Sequence, residues 1–423
     1  LNPGGVTSII GSQVMGLSKD SNYRVRIICG ENANDKKFEK MGVEVSVHPD
    51  MNYLFEKGDK KRNSDLYKRM KNNLTSIVPK DNNIIHFHNL NLGKNPVLTN
   101  VIHDMALEGY RVVNHTHDFA EDRSDRMEFL SEIIEKQFGQ NLDEMMYPQL
   151  DHYAYITLNN HDRNRISEKG IPDTRIARIP NPVNRFPEIK GDRKKKLAIK
   201  ISEKLKLDKS KKIVVYPVRV IRRKNIGEFI LLSVLLRDKA EWLVTQAPKN
   251  PVEVEPYEQW KSFCKENQVP VIFEAGDKVD FEELMFAADF CLTTSTGEGF
   301  GMVFLEPWTF ATPVIGRDLP RVTADLKEEG MEFPLLYGKF KINRRGQISD
   351  FPDLDMDLQM DLIKQLMEHE DKKNAIMHLN PFLNLLLEPP GKATIKHNIK
   401  LIKKKYSLKN FKKQLDGVYQ KLS

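Results

Sequence analysis

The stretch Glu298-Gly-Phe-Gly-Met-Val-Phe-Leu-Glu306 constrains this chain more than any other. An apolar run, Phe290-Cys-Leu-Thr-Thr294, precedes it and reads as a buried strand ending in a polar Ser-Thr-Gly turn. Gly299 and Gly301 then permit a tight loop in which backbone approaches a ligand closely. Met302 to Phe310 is the expected helix, so the free N–H groups of Gly301, Met302 and Val303 would face that loop. A helix N-terminus presented this way binds anions. The carboxylates of Glu298 and Glu306 are expected to project into the same crevice, where they accept hydrogen bonds from hydroxyls and repel phosphate. Phosphate and sugar hydroxyls together point to a nucleotide-sugar. Pro307 follows Glu306 directly, removes one helical N–H and predicts a kink.

The same strand-loop-helix pattern recurs along 423 residues, enough for two domains with separate cores. In the first half, strands are expected at Tyr23–Cys29, Val43–Val47 and Asn83–Asn89, a strand running into a polar loop over Arg111–Phe119, and another strand at Ala154–Leu158. Residues 51–73 hold few apolar side chains and read as solvated helix or loop. In the second half, Lys212-Ile-Val-Val-Tyr-Pro-Val-Arg219 is a near-continuous apolar run of the kind buried in parallel sheets. Strands at Ala240–Thr245 and Val269–Phe273 and a helix over Phe281–Ala288 follow. Within Lys190–Lys212, the spacing of Leu197, Ile201 and Leu205 predicts a helix with one buried stripe and a solvated lysine face.

The net charge of +7 suits anionic substrates without singling out nucleic acid. It leaves peripheral contact with an anionic membrane surface open. No stretch reaches membrane-spanning length and no signal peptide is evident, so a cytoplasmic enzyme is the expectation. Cys29, Cys264 and Cys291 have no metal-ligand spacing; Cys29 and Cys291 fall in strand-like runs and are expected to be buried, reduced thiols.

Glu298 and Glu306 match the Glu-x7-Glu motif of retaining glycosyltransferases of the GT-B fold, and EGFGMVFLEP followed by ATPVIG resembles their family 4, the glycosyl transferases group 1. Arg219 and Lys224 resemble that family's Arg-x4-Lys pair, with Val218 in place of the usual glycine. His117 matches the family's histidine in the pattern apolar-x-Thr-x-His-Asp, although His115 stands where threonine is more usual. Which of His115 and His117 faces the donor therefore stays open. His86 and His88 resemble a His-x-His strand end, read equally well as polar caps. The opening Leu1-Asn-Pro-Gly-Gly-Val6 resembles the glycine-rich loop after a first strand; no strand precedes it here, and a clipped N-terminus is the expectation.

The resemblance implies an α/β, GT-B fold: two doubly wound, Rossmann-like domains facing a cleft. Residues 1–185 with a terminal helix over 405–423 would form the acceptor side, and residues 190–400 the nucleotide-sugar side. It also implies transfer of a hexosyl unit from a nucleoside-diphosphate sugar to an acceptor hydroxyl, with retention and with neither metal nor cofactor. Glu298 would bind donor sugar hydroxyls, Glu306 the ribose, Arg219 and Lys224 the diphosphate, and His117 the sugar. Gly4, Gly5, Gly301, Met302 and Val303 would supply backbone N–H groups, and Arg222 and Arg223 would face solvent. Glu121, Asp122, Arg123 and Arg126 follow the His117 loop; two arginines there suit a small polar or anionic acceptor. Two rival readings share the fold, a sugar phosphorylase using inorganic phosphate and a non-catalytic binding protein.

Overall fold

Runs of β-branched and aromatic residues become short parallel strands in two separate units, residues 1–184 with 405–423 and residues 185–404. The computed structural model describes every residue except 2, 3, 21, 33, 34, 189–191 and 423. Asn2 and Pro3 of the opening glycine loop, and Lys190 at the start of the basic segment, thus lie outside the described residues.

The first unit holds β1 (Arg26–Cys29), β2 (Glu44–Val47), β3 (Ile84–His88), β4 (Arg111–His115), β5 (Tyr153–Thr157) and β6 (Ile176–Arg178). They form two parallel ladders, β1-β2 and β3-β4-β5-β6. Every residue of β5, and all of β4 but Arg111, is buried, as a strand covered on both faces must be. A cavity of about 1170 Å³ is lined by β1 and β3 and by the start of the helix Gly5–Leu17, including Gly4 and Gly5.

The stretch read as solvated is more ordered than its composition suggests. Lys60–Ile77 is one helix, capped by Asp59, whose carboxylate accepts from the Arg62 N–H at 2.8 Å. Leu66, Met70 and Leu74 recur every four residues, and that one stripe packs with Val97, Val101 and Met105. The last helix, Leu408–Leu422, packs Phe411, Leu415, Val418 and Tyr419 against Ile9, Val113 and Ile156 of the same unit. It thereby covers one face of the β4–β5 pair.

The second unit is built on β7 (Lys212–Arg219), β8 (Ala240–Gln246), β9 (Val271–Ile272), β10 (Phe290–Thr293), β11 (Val314–Arg317) and β12 (Leu336–Tyr337). They make one parallel sheet in the order β12-β11-β10-β7-β8-β9. The strand expected over Val269–Phe273 shrinks to two residues, bracketed by Gln268 and Glu274 at φ 54° and 58°. The basic helix Arg193–Leu205 forms as its periodicity predicted, with Ile201 buried beside Leu284 and Phe286. An antiparallel hairpin, β13 (Lys341–Arg344) and β14 (Gln347–Asp350), follows the sheet.

All three cysteines are free thiols. Cys264 and Cys291 are buried, whereas Cys29, at the end of β1, is only half-buried, contrary to the expectation from its apolar run. Among the described residues no helix is long and apolar enough to cross a membrane.

Candidate active site

In the second unit β7 and β10 are neighbours in the sheet, so the loops that leave their carboxyl ends run side by side. The Lys224 carbonyl accepts from the Tyr216 hydroxyl and, at 3.0 Å, from Thr294 Oγ1. Asn225 turns the chain at φ 54°, a left-handed conformation asparagine tolerates, and its Nδ2 donates to the Thr294 carbonyl at 3.1 Å. The Thr296 N–H donates back to the Arg223 carbonyl at 2.9 Å. Backbone and hydroxyl groups thus zip the two loops together before any charge is considered.

The charges then meet across the zipper. Lys224 Nζ and, at 2.8 Å, Ser295 Oγ both donate to Glu298 Oε1. Arg223, expected to be solvent-facing, is half exposed, yet its Nη1 donates to Glu298 Oε2 at 2.9 Å and to the Gly297 carbonyl at 2.6 Å. Burial pushes the Glu298 carboxyl up, but Lys224, Arg223 and Ser295 outweigh it and hold the group below its ordinary value. Lys224 is also lowered, by burial, against the pull of Glu298. The two directions conflict, since a dominant ion pair would raise its cation. The carboxylate has three donors and the ammonium one acceptor, so the anion is the better secured partner. Arg219 ends β7, exposed and without an ion pair among the described residues.

The helix expected over Met302–Phe310 does not form. Two short 3-10 turns, Met302–Phe304 and Glu306–Phe310, take its place, with Leu305 between them at φ −117°. Pro307 has no N–H to give, and its ring crowds the carbonyl four residues back, which disfavours α-helical bonding through this segment. The N–H groups of Gly301, Met302 and Val303 consequently stand before a single turn and not before an aligned helix dipole. Gly301 is required by geometry. At φ 80°, a Cβ there would sit 2.5 Å from Val322 Cγ1. Glu306 is raised by burial; the one cation beside it, Arg185, lies 3.9 Å away and equally far from Glu282.

In the first unit, Asn89 follows β3 at φ 64° and pins the loop after β4. Its Oδ1 accepts from the His117 N–H at 2.6 Å and from the Asp118 N–H at 3.1 Å. Gly4 caps the helix Gly5–Leu17 and lines the same cavity as His86 and His88. His115 is fully buried, whereas His117 is 9% exposed. Burial holds all four imidazoles neutral. His86 is pushed down to about 3 and His117 to about 4, with His88 and His115 well below the ordinary value.

Ring nitrogens of His86, His88 and His115 come within 4.8 Å of one another, close enough to raise the question of a metal. A tetrahedral zinc site needs lone pairs converging on one point about 2 Å away. The His88 and His115 rings instead stack at 28° and those of His115 and His117 at 19°, so their in-plane lone pairs do not converge. The nitrogens face one another: His86 Nε2 with His115 Nδ1 at 3.2 Å, and His88 Nδ1 with His117 Nε2 at 2.9 Å. The group fits a hydrogen-bonded chain better than a metal cage.

Beyond His117, three cations share one environment. The ammonium of Lys94 lies 4.8 Å over the Tyr53 ring, and burial together with Arg123 and Arg126 lowers its pKa. Asp118 offers partial compensation, 3.9 Å from Arg123. Arg126 stacks on Phe129, and its Nε is buried without a hydrogen-bond partner. The two acids of the stretch look elsewhere. Glu121 accepts from the Tyr147 hydroxyl at 2.6 Å and Asp122 from Arg165 at 3.0 Å.

Residues 198–331, which contain Arg219, Lys224, Glu298 and Glu306, match the family described as glycosyl transferases group 1. Over this segment the chain is similar to a group 1 glycosyltransferase domain. It is 30% identical over 319 residues to the mannosylglucosyl-3-phosphoglycerate synthase of Petrotoga mobilis, a match covering 72% of this chain and 60% of that one. The chain thus spans only 60% of the length of this curated relative. Among solved structures it is similar to Anabaena HepE in complex with UDP and glucose, at 13% identity and a TM-score of 0.61, over 99% of this chain and 96% of that one. It is also similar to a glycosyltransferase from Rickettsia africae, at 13% identity and a TM-score of 0.62, with 99% and 96% covered. Sucrose-phosphate synthase from Thermosynechococcus elongatus gives 13%, 0.60, 99% and 94%. These likenesses establish the fold, GT-B, with its two Rossmann-like domains.

Of the residues that support this candidate site, Arg223 was expected to face solvent, and Asn89 and Lys94 were not singled out from the sequence. Asn89 had a readable signal, an asparagine directly after an apolar strand, where a left-handed turn is common. Lys94 had none, because Arg123, whose charge acts on it, lies 29 residues away.

Proposed function

We propose that this glycosyltransferase moves a hexosyl unit from a nucleoside-diphosphate sugar to a hydroxyl of a small anionic acceptor, with retention of configuration. The observation that carries the donor half is the pairing of the Lys224 loop with the Glu298 loop. Two cations and a carboxylate, held on backbone fixed by Tyr216 and Thr294, offer a diphosphate its countercharge and a sugar its acceptor in one place. Lys224 and Arg219 neutralise the diphosphate, and as charge develops on the leaving nucleotide they stabilise it electrostatically. Glu298 accepts from sugar hydroxyls, Glu306 from the ribose, and His117 binds the sugar. Gly4, Gly5 and the turn Gly301–Val303 contribute N–H groups. The leaving phosphate oxygen takes the acceptor's proton, so no enzymic base is invoked.

The acceptor half rests on Lys94, Arg123 and Arg126, three cations with Asp118 as their nearest anion. Such an undercompensated cluster favours a phosphate or carboxylate on the acceptor. The Petrotoga relative, whose name specifies a phosphoglycerate product, supports this reading, as do the UDP and glucose of the HepE complex. The test is a panel of nucleoside-diphosphate sugars against phosphoglycerate, sugar phosphates and their uncharged analogues, with products analysed by mass and anomeric configuration. Transfer confined to anionic acceptors is the expected result. Transfer only to neutral or lipid acceptors, or none without inorganic phosphate, would overturn it.

A further inference from the structure

His86, His88, His115 and His117 of the first unit form two hydrogen-bonded pairs joined at a common root. Gln13, on the helix Gly5–Leu17, donates from Nε2 to the Tyr419 hydroxyl at 2.8 Å, and its Oε1 lies 2.9 Å from His88 Nε2. An amide oxygen only accepts, so His88 Nε2 carries the proton. In a neutral ring His88 Nδ1 then accepts, and it faces His117 Nε2 at 2.9 Å. His117 must therefore carry its proton on Nε2 and present Nδ1 as a lone pair. The other branch obeys the same logic. Tyr419, having accepted from Gln13, gives its own proton to His86 Nδ1 at 2.8 Å; His86 Nε2–H then donates to His115 Nδ1 at 3.2 Å.

We propose that Gln13 and His88 are positioning residues that fix His117 as the Nε2–H tautomer, and that the last helix takes part through Tyr419. This rests on the reading of His117 as a sugar contact, since a fixed Nδ1 lone pair accepts from a donor sugar hydroxyl. It also gives the returning helix Leu408–Leu422 a role beyond packing: its Tyr419 hydroxyl joins the two branches, accepting from Gln13 and donating to His86. Reversing that amide would reverse the proton on every ring in turn.

The experiment reads tautomers directly, by nitrogen NMR of histidine-labelled protein without donor, alongside steady-state hexosyl transfer. Wild type should show His117 with a protonated Nε2 and an unprotonated Nδ1. His88→Leu and Gln13→Leu should mix the two tautomers and lower kcat about tenfold or more, the scale for groups that orient a functional histidine. His88→Asn keeps an acceptor near the Nδ1 position and should retain the tautomer and most of kcat, which a merely space-filling role would not predict. A proton on His117 Nδ1 in the wild type, or an unchanged tautomer in His88→Leu, overturns the relay whatever the activity. The stated tautomers together with full transfer by His117→Ala would support the relay and overturn instead the reading of His117 as a sugar contact.

Discussion

Lys224 and Glu298 are each other's partner: the lysine Nζ donates to Glu298 Oε1. Two groups assigned to different parts of one donor molecule hold one another in place without it. A diphosphate must therefore draw Lys224 from a carboxylate that keeps Arg223 and Ser295 when the lysine leaves. Lys224→Ala should weaken nucleoside-diphosphate binding by roughly 1.5–3 kcal/mol, the scale for a hydrogen bond to a charged group. Calorimetric titration with the nucleotide checks it, and an unchanged affinity would remove Lys224 from the phosphate role.

Arg317 and Glu228 predict a larger effect on stability. Arg317 donates to Glu228 Oε1 at 3.2 Å and to both Asp350 oxygens, at 2.7 and 2.9 Å. Glu228 is wholly buried and also accepts from Tyr337 at 2.6 Å and Asn225 at 3.0 Å. Burial nevertheless keeps its carboxyl above the ordinary value. Removing the arginine leaves that group without its cation, so Arg317→Met should cost about 3–5 kcal/mol. Denaturant unfolding followed in the second unit measures it; a loss below 1 kcal/mol would mean that the network is not held together as described.

The four depressed histidines set an acid limit on the first unit. Each imidazole is lowered by burial, so below about pH 6.5 the unfolded chain takes up protons that the folded chain refuses. Stability is then fully present above pH 6.5 and falls as the pH drops toward about 4, where His117 begins to protonate in the fold. Each histidine contributes up to about 1.4 kcal/mol per pH unit in that window. Urea unfolding at pH 7.5, 6 and 5 should show the first unit's midpoint falling well before carboxylates titrate. A midpoint flat from 7.5 to 5 would contradict the buried neutral cluster.

What could be read in advance divides along physical lines. The β7 and β10 runs announce themselves because a parallel strand buried on both faces must be apolar at almost every position. Glu298, Lys224 and His117 were legible as motif residues at strand ends. The helix expected after Gly301 was read with a kink at Pro307, whereas two 3-10 turns stand there instead. Leu66, Met70 and Leu74 were overlooked because three buried side chains suffice for a helix whose other faces are solvated. Asp350 and Lys94 could not be found at all, since only tertiary packing brings them to Arg317 and Arg123.

The acceptor prediction draws on that last kind of information. Lys94 is lowered by burial and by Arg123 and Arg126, which means that both arginines repel its ammonium. An anion bound among them relieves that repulsion as well as gaining its own contacts, so its charge should matter more than its bulk. Arg126 has a buried Nε with no hydrogen-bond partner, a donor that an acceptor oxygen could satisfy. Arg123→Ala and Arg126→Ala should therefore lower kcat/KM about tenfold or more with an anionic acceptor and much less with its uncharged analogue. Lys94→Met should behave in the same direction. The readout is the ratio of kcat/KM between the two acceptors in each variant. If all three variants keep the wild-type ratio, the cluster does not read acceptor charge, and the acceptor must be recognised through its hydroxyls alone.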